Sequence, residues 1–453
     1  TMRDAIYDLL CAFLLGLGNM FLFMGQCYDT QLAIVEPVLR SVHDRAPDTV
    51  SAHAGFYGAG MCTVFFMLAS LVSPCVLGVL GSKYTLLLGS LLFTVHLASF
   101  QYIHYLPYYI TSAGIGIGYA LFYSGHGGYL TEHSTKKTIE RNSALTWALA
   151  TSCMIAGGGV LALTARQPAQ ELVVNGTTLV DDLVNGTVHE TKSRSFRTYS
   201  DAEIKMVYGA FAGVCLLGNL VFILIPSKNV ANSIAARFGR KRVGFVDQMQ
   251  KIYDTFTDAR ALQLTPLFCF LGLSTCFWVG AYPTTLIFSR ALSGYIYLPA
   301  LYLSTLGLGE ILMGLIIAVA SKRIKNFAQL PSLILGSVLF MVAMVLALLS
   351  TPPAATNSPT SDPTPLLEPN PAIALIIALL LGMSDNSFNT SRTVLCALVI
   401  PENIAQSLAE SIIFFVAPMM SMSVHFGLIS FFCFISIIFY WRAAKSTRRA
   451  EKE

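Results

Sequence analysis

Charge is scarce in this 453-residue chain: Asp, Glu, Lys and Arg make up 12% of it, against 54% hydrophobic residues. A soluble domain usually carries about 25% charged residues. Half that share, with repeated apolar runs of about 20 residues, excludes an ordinary soluble protein and points to an all-α polytopic membrane protein. Cysteine pairing is also missing. All ten cysteines (Cys11, Cys27, Cys62, Cys75, Cys153, Cys215, Cys269, Cys276, Cys396, Cys433) fall in apolar runs, with no CxxC pair. They read as small buried hydrophobes, so no disulfide framework, metal site or cofactor is expected. The glycines of "AGIGIGY" (Gly114, Gly116, Gly118) follow no strand, which excludes a dinucleotide loop; they are expected to let helices pack closely.

Hydrophobic segments fall near 6–34, 54–80, 84–103, 107–130, 143–164, 203–226, 262–288, 296–320, 329–350, 371–400, 405–424 and 426–442. That gives twelve transmembrane helices. The first run is too long for a signal-peptide core and lacks a basic flank, so it is expected to be retained. Residues 1–226 form a first group of six helices, 227–261 a basic cytoplasmic linker, 262–442 a second group of six, and 443–453 a cytoplasmic tail. With both termini in the cytoplasm, cytoplasmic segments hold twenty Lys and Arg and exoplasmic segments eight. That bias favours this orientation. Two sequons, at Asn175 and Asn185, lie in the 165–202 loop that this orientation puts outside, where glycans are added. The Pro-rich stretch 351–371 reads as a disordered exoplasmic connection. "RFGRKR" (Arg237 to Arg242) reads as an anchor at anionic lipid rather than a nucleic-acid contact.

The two groups share a pattern. Ser82-Lys83 followed by Gly89-Ser-x-Leu-Phe93 recurs as Ser321-Lys322 followed by Gly336-Ser-x-Leu-Phe340, with eight extra residues in the second copy. Parallel repeats of six helices around a central crevice are the architecture of the major facilitator superfamily. Four segments carry a more specific likeness: "LGLGNMFLFMGQCYDTQLAIVEPVLRSV", "YLTEHSTKKTIERNSALTWAL", "LGLGEILMGLIIAVASK" and "LLLGMSDNSFNTSRTVLCAL". With them the chain resembles the UNC-93-like branch of that superfamily. The resemblance implies a two-bundle fold and a membrane transporter. It also implies an alternative, because relatives serve as a regulatory subunit of a potassium channel or as a trafficking partner of a receptor. One departure stands out: the loop after the second span, Gly78 to Lys83, has no acid where facilitators usually carry one.

A charge at the bilayer centre costs about 2.5–3.5 kcal/mol on insertion scales, so it usually faces water or a partner. Asp29, Glu310, Asp385 and Glu410 are the acids within spans, and Arg392 is the one base. Asp385, Asn389 and Arg392 stand at i, i+4 and i+7, one stripe on the tenth helix. The stripe reads either as the wall of a hydrated crevice binding a small solute or as a buried network joining spans eight, ten and eleven. Glu310 reads either as a coupling acid or as a neutral carboxyl bonded to a neighbour. Glu410 is expected to pair with Arg392 on the cytoplasmic side. Asp29, with Gln26 nearby, stands near the exoplasmic end of span one as a ligand candidate, and His126 reads as a packing residue. Asp29 and Asp385 make no workable aspartyl-protease pair, since their depths differ and their helices belong to opposite halves; no enzyme activity is expected. The reading is a carrier of an unidentified small solute in the lipid bilayer, with partnership to another membrane protein as the alternative.

Overall fold

The computed structural model describes residues 2–26, 28–135, 138–164, 198–227, 233–238, 259–324, 330–396 and 419–450, together with Val246, Gln250, Tyr253, Phe327, Phe414 and Val416. In chain order the helices are α1 (Met2–Gln26), α2 (Tyr28–Arg45), α3 (Ala54–Leu80), α4 (Ser82–Ser99), α5 (Tyr105–Glu132), α6 (Ile139–Thr164) and α7 (Asp201–Leu224). A short α8 (Ile234–Phe238) follows in the linker. Then come α9 (Ala259–Cys276), a π-helical turn (Phe277–Ala281), α10 (Tyr282–Phe288), α11 (Leu298–Arg323), α12 (Leu330–Ser350), α13 (Pro371–Cys396) and α14 (Met422–Ala450). Eight described segments are long and apolar enough to cross a bilayer. The expected eleventh span falls almost wholly outside the described residues.

Two expected boundaries move. Helix continues past the end expected at residue 34 and reaches Arg45 in α2. Run length misses this because α2 is two-sided: Ile34, Val35, Val38, Leu39 and Val42 are buried on one face while Arg40 and Asp44 pair on the other. The last helix likewise runs to Ala450, beyond the expected end at 442. The Pro-rich segment is not a disordered connection. Thr360 exchanges backbone hydrogen bonds with Phe288 and Arg290, at 2.9 and 3.2 Å. Leu366 and Leu367 donate to the Leu349 carbonyl, and the Thr356 hydroxyl donates to Met420 O at 2.9 Å. Composition points to disorder, but these backbone groups find partners at the ends of three different spans.

The packing of the first half recurs in the second. α5 lies against α3 and α4, and α13 lies against α11 and α12; α4 meets α7 as α12 meets α14. The short repeat explains how. A Cβ on Gly89 would sit 2.8 Å from Phe122 N, and one on Gly336 would sit 3.0 Å from the Phe388 ring. One turn later Phe93 packs on Phe122 with ring centroids 6.1 Å apart, and Phe340 packs on Phe388 at 5.9 Å. The same register pairs Gly116, facing Cys62 O of α3, with Gly382, facing Leu306 O of α11. Gly116 and Gly118 thus permit close packing as expected, whereas Gly114 faces open space.

Among the described residues the halves meet at two main seams. α6 crosses α11 where Gly158 faces Ala300 O and Ser304, and Gly307 faces Met154. α2 packs on the π-turn and α10, and the Phe56 ring reaches Gly280. Both seams lie toward the face where α2 ends and α3 begins, the distal face; α1 starts at the proximal one.

Candidate functional site

α11 and α13 run parallel and touch at glycine. Leu306 O would lie 1.9 Å from a Cβ on Gly382, and Leu379 O 2.4 Å from one on Gly309. Backbone contact this close fixes the register, so Glu310, next after Gly309, and Asp385, one turn after Gly382, stand within about a turn of each other in depth. Asn386 follows on the α11 side, 3.6 Å from where a Cβ on Gly314 would be. The opposite side of α13 buries Ser384, Ser387, Phe388 and Ser391 toward α12. Asp385 and Asn389 occupy the sector between, both half-buried, with the Asn389 amide donating to Asp385 Oδ2 at 2.6 Å. Glu310 is half-buried as well.

The expected stripe is therefore a bonded pair beside a second acid on the adjoining helix. Arg392 lies two turns further along α13. Gln26 is the last residue of α1 and Asp29 the second of α2. The side chains of Gln26, Asp29 and Arg392 fall outside the described residues, as do Glu410, Asn175 and Asn185 altogether.

The repeat register adds what spacing along one helix does not give. Offsetting α13 onto α5 sets Asp385 on Tyr119, Asn389 on Tyr123 and Arg392 on His126; offsetting α11 onto α3 sets Glu310 on Phe66. In the first half that sector is aromatic. Phe66 lies 6.0 Å from Tyr119 and 6.1 Å from Tyr123, and the two tyrosine rings stack at 6.2 Å. Parallel repeats related by an axis along the membrane normal put equivalent sectors on opposite sides of that axis.

Three polar constellations escape a reading of the sequence. Asp8 is buried on α1, where it accepts from the Asn142 amide and from the Thr138 hydroxyl at 2.5 Å, with Arg141 at 3.5 Å. Ser82, in the loop lacking an acid, donates to Glu132 of α5 at 2.5 Å, while Lys83 donates to Ile225 O at 2.9 Å. The missing charge of that loop is thus matched by a carboxylate on the neighbouring helix. Glu36 of α2 meets His53 before α3. Each acid sits at the edge of an apolar run, where a hydropathy count assigns it to the interface; an acid flanked by helically spaced apolar residues, as in "IVEPVL", is the available signal.

The family model described as "Ion channel regulatory protein UNC-93" matches residues 46–441. The chain belongs to the UNC-93 family. Among relatives of this UNC-93 chain is UNC93-like protein MFSD11 of Xenopus laevis, 25% identical over 419 residues, covering 87% of this chain and 85% of the relative. UNC93-like protein 3 of Arabidopsis thaliana is 23% identical, covering 83% and 76%. Solved structures show the fold. A peptide transporter POT in complex with sulfate aligns with TM-score 0.63 at 10% identity, over 98% of this chain and 94% of that one. The xylose transporter XylE from E. coli, in a partially occluded inward-open conformation, aligns at 0.59 and 13% identity, over 96% and 97%. The UNC-93 chain is a multi-pass membrane protein with the two-bundle major facilitator fold.

Proposed function

We propose that this UNC-93 family chain is a carrier that moves a small solute by alternating access, with both termini in the cytoplasm. The observation that carries it is the Asp385–Asn389 pair, half-buried on α13 close in depth to Glu310, within a fold whose two main seams among the described residues lie toward the distal face. Two carboxylates favour a solute that offers N–H or O–H donors or a positive charge. Across the pseudo-twofold axis, the Phe66, Tyr119 and Tyr123 rings supply faces that attract a cation or stack on a flat group. Arg392, Asp29 and Gln26 complete the candidate set, and none is assigned a catalytic role.

Purified protein in detergent should melt at higher temperature with the right member of a panel of amino acids, dipeptides, nucleosides, sugars and choline. Asp385→Asn and Glu310→Gln should each abolish that shift while leaving the unliganded melting temperature within a few degrees. Tyr123→Leu should weaken the shift of an aromatic or cationic solute, and Tyr123→Phe should keep it. A shift that survives Asp385→Asn would remove the pair from the solute site.

The family description favours one second reading, a regulatory subunit of an ion channel. A panel without any shift, together with stoichiometric capture of a channel from native membranes, would establish it in place of transport. Orientation has its own check. Glycosidase treatment should increase gel mobility of the wild type and leave the double variant Asn175→Gln, Asn185→Gln unchanged.

A further inference from the structure

The distal seam holds a buried acid that the solute site does not use. Glu36 lies on α2 beyond the end of the first apolar run, and its side chain is only 2% exposed. Its Oε2 accepts the backbone N–H of Phe56 at 3.1 Å, and its Oε1 stands 3.0 Å from His53 Nδ1. The residue at the N-cap of α3, His53, makes no side-chain cap of its own. Glu36 therefore caps α3 from a different helix, satisfying an N–H that would otherwise be unpaired and facing the positive end of the helix dipole. The approach requires glycine at 55, since a Cβ there would lie 2.6 Å from Glu36 Cα. Phe56, whose N–H is held in this way, is the residue whose ring reaches Gly280 in the other half. α2 itself packs on the π-turn and α10. One carboxylate thus sits directly behind the contact that closes the distal face.

We infer that Glu36 together with His53 is a proton-binding site, loaded when the distal face closes and emptied to distal water when it opens. The cap survives loading. A neutral Glu36 carboxyl keeps both contacts, one oxygen accepting from Phe56 N–H and the other within hydrogen-bond distance of His53 Nδ1. Burial pushes the Glu36 carboxyl above the usual carboxylate range, opposed by the His53 contact, the Phe56 N–H and Arg40 one turn along α2. The other facing groups are Tyr108 and Tyr109 of α5, whose like-charge effect is felt only if they ionise. The π-turn and α10 bring Tyr282, whose ring lies against Phe277 and Tyr302.

The sign follows by linkage. The closed state, in which Glu36 is dry, binds the proton more tightly than an open state in which water reaches it. Lower pH therefore favours closure, and rising pH favours opening. The inference needs two arrangements of the halves but no solute, so it stands or falls separately from the carrier reading.

The test is pulsed electron-spin distance measurement on the full chain in lipid nanodiscs, with labels at the exposed distal positions Asp48 and Ala291, between pH about 5 and about 9. The wild type should shift from a short to a long population as pH rises. Glu36→Gln, which keeps the cap but cannot ionise, should stay short throughout. His53→Gln removes a group that lowers the Glu36 pKa, so its transition should move to higher pH. A pH profile unchanged in Glu36→Gln, a wild-type distance that ignores pH, or a His53→Gln transition that stays in place would each overturn the inference. The His53 arm remains decisive should Glu36→Gln fail to fold.

Discussion

Replacing Gly382 with leucine is expected to leave almost no folded protein. Even an alanine Cβ would lie 1.9 Å from Leu306 O and 2.8 Å from Leu306 C, atoms of a helix backbone that cannot rotate aside. α11 and α13 would have to part along the crossing. Overpacking by a single carbon typically costs about 1–3 kcal/mol, and here the obstacle is main chain, so Gly382→Ala should fall at the upper end and Gly382→Leu beyond it. Close approach through small residues is also the main source of helix association in lipid, where no hydrophobic drive separates protein from tails. Melting temperature and the monodisperse fraction in detergent are the measurements. Gly116→Ala should behave alike, because Cys62 O stands 2.1 Å from its Cβ position. Gly114→Ala should be neutral or stabilising by up to about 1 kcal/mol, since that site is open and glycine weakens a helix interior. Equal losses at Gly114 and Gly116 would show that packing is not what these glycines provide.

The second large effect is expected at Asp8. This carboxylate holds the Asn142 amide, the Thr138 hydroxyl and the Arg141 guanidinium, and so ties α1 to the start of α6. Truncation to alanine takes one acceptor from the buried Asn142 amide, leaving it Ser134 Oγ at 2.9 Å, and removes the acceptor of the Thr138 hydroxyl; breaking a buried ionic network usually costs about 3–5 kcal/mol. The Arg141 side chain is 50% exposed, so Asp8→Ala should fall near the lower figure, and Arg141→Gln should cost less than about 1 kcal/mol. Chemical or thermal denaturation of the three proteins in one detergent would show the ranking. A greater loss for Arg141→Gln than for Asp8→Ala would mean the ion pair, rather than the hydrogen bonds, dominates.

Much of the fold is legible in the sequence because bilayer physics constrains it so tightly. Apolar runs of about 20 residues mark spans, and the Gly-Ser-x-Leu-Phe repeat is a packing unit, glycine against one phenylalanine and phenylalanine against the same ring. Periodicity gives the Asp385–Asn389 contact directly, because i and i+4 are neighbours on any helix. What stays hidden depends on distance along the chain. Nothing local in "TPPAATNSPTSDPTPLLEPNP" states that Thr360 will bond to Phe288, or Thr356 to Met420. Glu36 and Asp8 escape notice because hydropathy averages over a window, whereas their burial depends on which helix arrives beside them. The α11–α13 register that brings Glu310 close in depth to Asp385 comes from two glycines whose partner surfaces are about 70 residues away in sequence, beyond the reach of any pattern within one span.

The stitching of the 351–370 segment to the ends of three spans bears on mechanics. Threads from residues 288–290, 349 and 420–422 converge on one strap, which resists sliding of those helices past one another at that rim. Torque applied to any one of them is shared by the rest, and the second bundle should pivot as a rigid lever. The close crossing where Gly158 meets Ala300 and Ser304 is the contact on which such a lever would turn.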